Sequence, residues 1–184
     1  MGPIEQKARE ILKDFEDKID QPASLSGLYH KGESMRDHLE MTTSIMKHLC
    51  DAYNIKPEER DMLIACCLLH DIGKFPISRK GFIEGQIKEG WLYYEATGWS
   101  RIEKRMKEHP TLSAEIIEKY GIPRKEEIKR IVSRHMAHWY KNSPQPEMMY
   151  DYMLVTADYL STRQEDLYKY VERTSEFIKK PSEG

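Results

Sequence analysis

The stretch CLLHDIGKFP, residues 67 to 76, places a histidine and an aspartate side by side where an apolar run ends. That run, Met62 to Leu69, is the longest uninterrupted apolar segment of the chain, and it is far shorter than the roughly 20 residues of a membrane span. Successive helical residues point about 100° apart, so His70 and Asp71 cannot both face the core. Core packing alone therefore does not explain the pair.

The chain on both sides of this stretch has helical periodicity, with neither an alternating β pattern nor an internal repeat. We therefore predict an all-α protein, and 184 residues suit one domain. Residues 76–100, which carry four glycines and several aromatic side chains, are predicted to form a loop or a broken helix. The first predicted helix covers 1–20, and the second starts at a Ser34 cap with Asp37 three residues on. The third is predicted from Pro57 to a stop at Gly73, and the fourth over 101–121 with Gly121 as the stop. The remaining helices are predicted from Pro123 to Trp139, over 147–163, and in a charged C-terminal segment before a tail.

Composition narrows the classes of function. Lys plus Arg (29) nearly balance Asp plus Glu (31), so no strong field attracts a long nucleic acid. Such a partner is not favoured but stays open. The three cysteines, Cys50, Cys66 and Cys67, make a poor disulfide framework and suit buried thiols in a reducing compartment. The N-terminal residues lack an apolar signal core, and we expect a soluble cytoplasmic protein.

Four further polar residues lie beside apolar ones on predicted helices: His38, His109, His135 and Asp158. For any one of these histidines alone, a hydrogen-bonded position in the core is the ordinary explanation. Together with the pair at 70 and 71 they make four imidazoles and two carboxylates from five segments, which only the fold could bring together.

The order His38, His70-Asp71, His109, His135, Asp158 resembles the HD-domain superfamily of metal-dependent phosphohydrolases, and LLHDIGK resembles its HDIG subgroup. The resemblance covers roughly residues 34 to 163, judged by the order of elements. MKEHPTLSAEII, residues 106–117, is also similar to the matching stretch of HD-GYP proteins, which act on cyclic dinucleotides. However, RHMAHWY, residues 134–140, stands where those proteins have a second adjacent histidine and the GYP tripeptide. The resemblance therefore does not extend to cyclic di-GMP hydrolysis or to a third metal.

The resemblance implies a single-domain HD-type helical bundle over residues 1–184. Its parts would be a packing helix at 1–20, a metal-site core at 34–163, and a C-terminal helix and tail at 165–184. One ion would be held by His38, His70, Asp71 and Asp158, and the other by Asp71, His109 and His135.

The residue types suit this chemistry independently of the family. Imidazole with carboxylate favours borderline divalent ions, with Mn or Fe expected first and Ni, Co, Zn or Mg left open. Two ions roughly 3.5 to 4 Å apart need one ligand that reaches both, which a carboxylate can do, so Asp71 is the candidate bridge. A bridging water with its pKa lowered toward about 7 would supply hydroxide to attack phosphorus.

We therefore expect a hydrolase that cleaves a phosphate ester or anhydride of a small molecule, with a nucleotide favoured. Asp71 and Lys74 are the expected catalytic residues. Lys74, by resemblance, would contact a phosphate, although a solvated helix-end lysine is an equal alternative. The other candidates for substrate contact are Arg79, His138 and Arg163. A surface imidazole that packs on Trp139 is the alternative for His138, and an ordinary ion pair is the alternative for Arg163.

Several alternatives stay open at this point. A mixed-valent di-iron oxygenase uses the same ligands on the same fold, and an HD-type ribonuclease, a cyclic nucleotide phosphodiesterase or a non-catalytic binding module would also fit. Residues 76–100 would be either a lid whose Trp91 or Tyr93 stacks on a base, or an aromatic plug over one end of the bundle. Formation of a homo-oligomer is left open.

Overall fold

The computed structural model describes residues 1–21, 23, 33–76, 107–136 and 143–163. These ranges contain helices and turns but no β-strand, which confirms the all-α fold class for the described part of the chain. In chain order the elements are α1 Pro3–Lys13, α2 Met35–Ala52, α3 Pro57–Leu69, a 3₁₀ turn at Ile72–Lys74, α4 His109–Glu118, α5 Lys125–Val132 and α6 Met149–Ser161.

Helix α3 is the centre of the fold. Every residue from Asp61 to Leu69 is buried, because α1, α2, α5 and α6 all pack against this helix. An α-helix that is apolar on every side has to be enclosed in this way. The remaining helix, α4, packs on α5 and on the 3₁₀ turn that follows α3.

Helix α1 ends at Lys13 rather than continuing to residue 20, so this part of the prediction is wrong. The chain turns after Lys13 because the carbonyls of Ile19 and Gln21 accept hydrogen bonds from the first residues of α2, at 2.9 and 2.8 Å. The same turn brings the Phe15 ring against Phe75, with ring centroids 5.0 Å apart. Residues 14–21 therefore contact both the start of α2 and the residue that follows the 3₁₀ turn.

The start of α2 and the two ends of α3 can be compared with the local predictions. The Ser34 hydroxyl accepts from the backbone N–H of Asp37 at 3.1 Å, and the Asp37 carboxylate accepts in return from the N–H of Ser34, which confirms the predicted cap of α2. Pro57 begins α3 as predicted. However, α3 ends at Leu69 and not at Gly73, which lies within the 3₁₀ turn.

The second half of the chain follows the prediction with shifted bounds. Helix α4 ends at Glu118, before Gly121. Helix α5 begins at Lys125 rather than at Pro123, because Arg124 takes a left-handed conformation with φ of 57°, and it ends at Val132 rather than at residue 139. Helix α6 lies inside the predicted segment 147–163.

Some predictions lie outside the described residues: the loop or broken helix at 77–100, Arg79, His138, and the C-terminal helix and tail. The three cysteines are free and buried, and burial raises the pKa of the Cys66 and Cys67 thiols. Within the described ranges, no helix combines the length and the apolar character that crossing a membrane requires.

Candidate metal centre

The four histidines and two aspartates singled out in the sequence lie together in the fold. All are buried, with at most 6% of any residue exposed. They come from every part of the bundle except α1: His38 from α2, His70 and Asp71 from the end of α3, His109 from the first residue of α4, His135 from just after α5, and Asp158 from α6.

The Nε2 atoms of the histidines face one another in pairs. The Nε2 atoms of His38 and His70 are 3.1 Å apart, and those of His109 and His135 are 3.0 Å apart. The rings of His70 and His135 join the two pairs, with centroids 4.9 Å apart. Nitrogen lone pairs at these separations repel unless a proton or a cation lies between them. The arrangement of the four imidazoles is therefore suited to a proton or a cation between the rings.

The opposite ring nitrogens of two histidines are held by helix ends. His70 Nδ1 lies 2.6 Å from the carbonyl oxygen of Cys67 in α3, and His135 Nδ1 lies 2.7 Å from that of Val132 in α5. A carbonyl can only accept, so each Nδ1 carries the hydrogen and each Nε2 presents a lone pair to the cluster. The carbonyls at a helix C-terminus lack helical partners, so these two rings also cap their helices.

Asp71 lies between the two histidine pairs. Its Oδ1 is 2.9 Å from His109 Nε2 and 3.4 Å from His135 Nε2, whereas its Oδ2 is 3.3 Å from His38 Nε2 and 3.6 Å from His70 Nε2. Among the described residues, Oδ1 has no hydrogen-bond partner of adequate geometry although it is buried. Each oxygen thus faces a different pair of imidazoles.

Asp158 adds a second carboxylate beside His38 and His70. Its Oδ1 is 3.3 Å from His38 Nε2 and 3.5 Å from His70 Nε2. It is also within 4.8 Å of His135. The pair His38 and His70 therefore has the oxygens of two carboxylates within 3.6 Å of its Nε2 atoms.

Electrostatics keep both carboxylates ionised. Burial alone would raise the pKa of Asp71, but Lys74, His70 and His109 outweigh it and hold that pKa well below its ordinary value. Burial is likewise outweighed at Asp158, whose pKa is held low by His38 and His70. The cluster thus keeps two buried negative charges that require compensation.

The imidazoles respond in different ways. Burial lowers the pKa of His70, and it lowers the pKa of His109 to about 4, which favours the neutral ring that binds a metal. At His38 the effect of burial is outweighed by hydrogen bonds to Asp158 and Asp71, which raise its pKa to about 9. The protein itself thus supplies a proton at His38, where a cation would bind.

The donor set fits a divalent metal. Three overlapping triads each have ligand atoms within 4.8 Å of one another: His38, His70 and Asp71; His70, His135 and Asp158; and Asp71, His109 and His135. Neutral imidazole with carboxylate is typical of sites for Mn, Fe, Co, Ni or Zn. The triads share members, so the geometry alone permits more than one division of ligands between ions.

Lys74 also reaches the cluster. Lys74 is only 8% exposed. Its Nζ lies 2.5 Å from Asp71 Oδ2 and 3.3 Å from the carbonyl oxygen of Ala23. The alternative of a solvated helix-end lysine is therefore wrong, since the ammonium group is bound to a buried carboxylate. Contact of Lys74 with a phosphate stays a prediction.

Of the other predicted substrate contacts, only Arg163 is described. It follows α6, and its guanidinium carbon lies over the Tyr159 ring, 5.2 Å from the centroid. Arg79 and His138 lie outside the described residues.

Sequence reasoning missed two serines that hold the cluster. Ser113 Oγ accepts from the N–H of Gly73 at 2.8 Å and donates to the carbonyl of His70 at 2.7 Å, which ties α4 to the turn after α3. Ser161 Oγ lies 3.1 Å from His38 Nδ1. Helical spacing could have indicated both, because Ser113 follows His109 by four residues and Ser161 follows Asp158 by three.

Comparison with known proteins agrees with this geometry. A family model described as HD domain matches residues 35–171, which is more than half of the chain. No curated protein and no solved structure gives a match.

Proposed function

The chain belongs to the HD-domain family, and from this premise we propose that it is a metal-dependent phosphohydrolase of the HDIG subgroup acting on a small phosphate-bearing molecule. The favoured substrate class is a nucleotide, cleaved at a phosphate ester or anhydride bond. We propose that residues 1–184 form one HD domain. The free, buried cysteines support the further proposal of a reducing, cytoplasmic compartment.

One observation supports the hydrolase proposal above all: the two oxygens of Asp71 face different pairs of imidazoles. A carboxylate in this orientation suits a bridge between two cations, which no imidazole can provide. The buried Oδ1 that lacks a hydrogen-bond partner among the described residues is accounted for if a cation binds there.

We assign His38, His70, Asp71 and Asp158 to one ion, and Asp71, His109 and His135 to a second, with Mn or Fe as the first expectation. When bound, such ions lower the pKa of a coordinated water toward neutrality and offset negative charge on phosphoryl oxygens. The first ion would have two carboxylates and two imidazoles as ligands, and the second one carboxylate and two imidazoles. The first set carries more negative charge and should bind its ion more tightly.

The side chains themselves prepare the site for an anionic substrate. The carbonyls of Cys67 and Val132 hold His70 and His135 in the tautomer that presents Nε2. Lys74 keeps Asp71 ionised and is the positive side chain nearest to that carboxylate in the described part of the chain. We propose that its ammonium group also contacts a phosphoryl oxygen of the substrate.

The proposal is tested by removing and restoring metal. The purified protein is analysed for its elements, treated with EDTA, and assayed with Mn²⁺ for release of phosphate or pyrophosphate. The substrate panel contains nucleoside mono-, di- and triphosphates, cyclic nucleotides, a short RNA and non-nucleotide phosphate esters. We expect turnover of a small nucleotide that EDTA abolishes and Mn²⁺ restores.

Two variants assign the activity to the cluster. Asp71→Asn keeps the shape of the side chain but removes its charge, and kcat/KM should fall by at least about 100-fold, because even outer partners of metal ligands cost 10–100-fold. Asp51→Asn is the matched control, since Asp51 is exposed and pairs with Arg60. Full activity in Asp71→Asn would refute the proposal, and iron with O₂ consumption would assign the oxygenase alternative instead.

A further inference from the structure

The last turn of α6 contacts α2 through one hydroxyl group. Ser161 Oγ lies 3.1 Å from His38 Nδ1 and 2.7 Å from the carbonyl oxygen of Asp158. Ser161 and His38 are both buried, with 2% of Ser161 and 0% of His38 exposed. This hydroxyl therefore links two of the proposed ligands of the first ion.

The direction of these hydrogen bonds follows from the position of Ser161. Asp158 lies in the last turn of α6, and its carbonyl accepts a long, 3.3 Å hydrogen bond from the N–H of Thr162. A hydroxyl has one hydrogen, and the carbonyl can only accept, so the shorter contact takes that hydrogen. Nδ1 of His38 then donates to the Ser161 oxygen, so Nε2 is the nitrogen that presents a lone pair to a metal once it has released its proton.

His38 differs in this respect from His70 and His135. Those two rings donate to backbone carbonyls of helix ends, which no side-chain substitution removes. His38 Nδ1 contacts a side-chain oxygen, so one substitution can remove this contact while leaving the backbone unchanged. Ser161 is thus a point at which one hydroxyl group contributes to the orientation of a ligand ring.

We propose that Ser161 is a positioning residue that fixes the Nδ1–H form and the ring orientation of His38 for metal binding. This inference rests on the proposed function, since it assigns His38 to the first ion. Without the hydroxyl, the buried Nδ1–H would lose this acceptor, which shifts the balance toward the form with hydrogen on Nε2. That hydrogen would point at Asp71 and Asp158, where the ion must bind.

The expected effect of Ser161→Ala is a loss of metal affinity of about 10- to 100-fold, the range measured for such outer partners. Thr162→Ala is the matched control, because the Thr162 hydroxyl makes the same type of bond, to the Tyr159 carbonyl at 2.7 Å, one residue further along. Ser161→Thr keeps the hydroxyl and should restore most of the affinity.

The test is calorimetric titration of the metal-free proteins with Zn²⁺, combined with NMR of the ¹⁵N-histidine-labelled zinc-loaded protein. We expect the His38 Nδ1–H signal to exchange slowly with water in the wild-type protein and rapidly in Ser161→Ala, whereas Thr162→Ala is unchanged. Equal affinity and equally slow exchange in Ser161→Ala would overturn the inference. If Ser161→Ala does not fold, a His38 ring without hydrogen on Nδ1 in the zinc-loaded wild-type protein overturns it instead. A wild-type protein that binds no metal would refute the proposed function, which separates the two failures.

Discussion

Gly73→Ala should disrupt the turn that carries Asp71, although it adds only one methyl group. A Cβ at position 73 would lie 2.2 Å from the carbonyl oxygen of His109 and 2.6 Å from the backbone nitrogen of Ser113. Both atoms belong to the backbone of α4, so no side-chain rotation relieves the contact. The 3₁₀ turn and α4 must instead move apart by about 1 Å to reach the 3.4 Å of ordinary contact.

This movement has a calculable cost. Overpacking of this type costs about 1–3 kcal/mol. Loss of the hydrogen bond from Gly73 N to Ser113 Oγ, now 2.8 Å long, adds about 1 kcal/mol. A total of about 3 kcal/mol should lower Tm by roughly 6–12 °C for a chain of this length. The separation between His109 Nε2 and Asp71 Oδ1, now 2.9 Å, would widen as well, so metal affinity should fall at least about tenfold.

Gly121→Ala is the matched control, because a Cβ there would meet nothing within 4 Å. It should leave metal affinity unchanged and stabilise the protein slightly, by up to about 1 kcal/mol, through reduced freedom of the unfolded chain. Thermal unfolding followed by circular dichroism, with and without EDTA, and calorimetric titration with Mn²⁺ measure both effects. If Gly73→Ala matched Gly121→Ala in Tm and in metal affinity, the explanation of this glycine by close packing would be refuted.

Three further predictions follow from the described contacts. Lys74→Met removes the positively charged partner of buried Asp71, so the metal-free protein should lose about 3–5 kcal/mol of stability in denaturant unfolding. Mn²⁺ should reduce this loss because it supplies the missing positive charge. A loss of stability that Mn²⁺ leaves unchanged would contradict the pairing of Lys74 with Asp71. Because the pKa of His38 is raised to about 9, metal binding should release about one proton near pH 7 and none near about pH 10. The metal affinity should therefore rise with pH between these two values. Titration calorimetry in buffers of different ionisation enthalpy measures the number of protons released, and equal numbers at both pH values would count against this prediction. Asp61→Ala removes the acceptor of two N–H groups at the start of α1 and should cost about 1–2 kcal/mol in thermal unfolding without changing metal affinity; an altered affinity would show that α1 acts on the site.

Local features of the fold could be predicted from the sequence. The Ser34 cap and the start of α3 at Pro57 depend on residues within one helical turn, and both predictions are confirmed. The all-α class was predictable because periodicity records which face of each helix is buried. Helix ends were predicted less well. Helix α1 ends at Lys13 because the residues that follow it, Ile19 and Gln21, form hydrogen bonds with the start of α2. No pattern within α1 indicates that α2 is the partner.

The candidate site divides in the same way. Its six residues could be selected from their types and order, and membership of the HD-domain family is confirmed by the match to residues 35–171. The assignment of individual ligands to two ions stays a prediction. Sequence pattern predicts a helix stop at Gly73, whereas in the structure this glycine allows the close packing of α4. The sequence allows two interpretations of Lys74, and its contact with Asp71 excludes the solvated position.

Residue types and short spacings along the chain indicate which side chains are able to bind a metal and which segments are helical. The packing of the helices fixes how Asp71 turns one oxygen to each pair of imidazoles and which group holds each ring. His38 and Ser161 are 123 positions apart in the chain, and their contact depends on how α6 packs against α2. A hydrogen bond requires atoms within about 3 Å, and spacing along the chain does not determine that distance for residues on different helices.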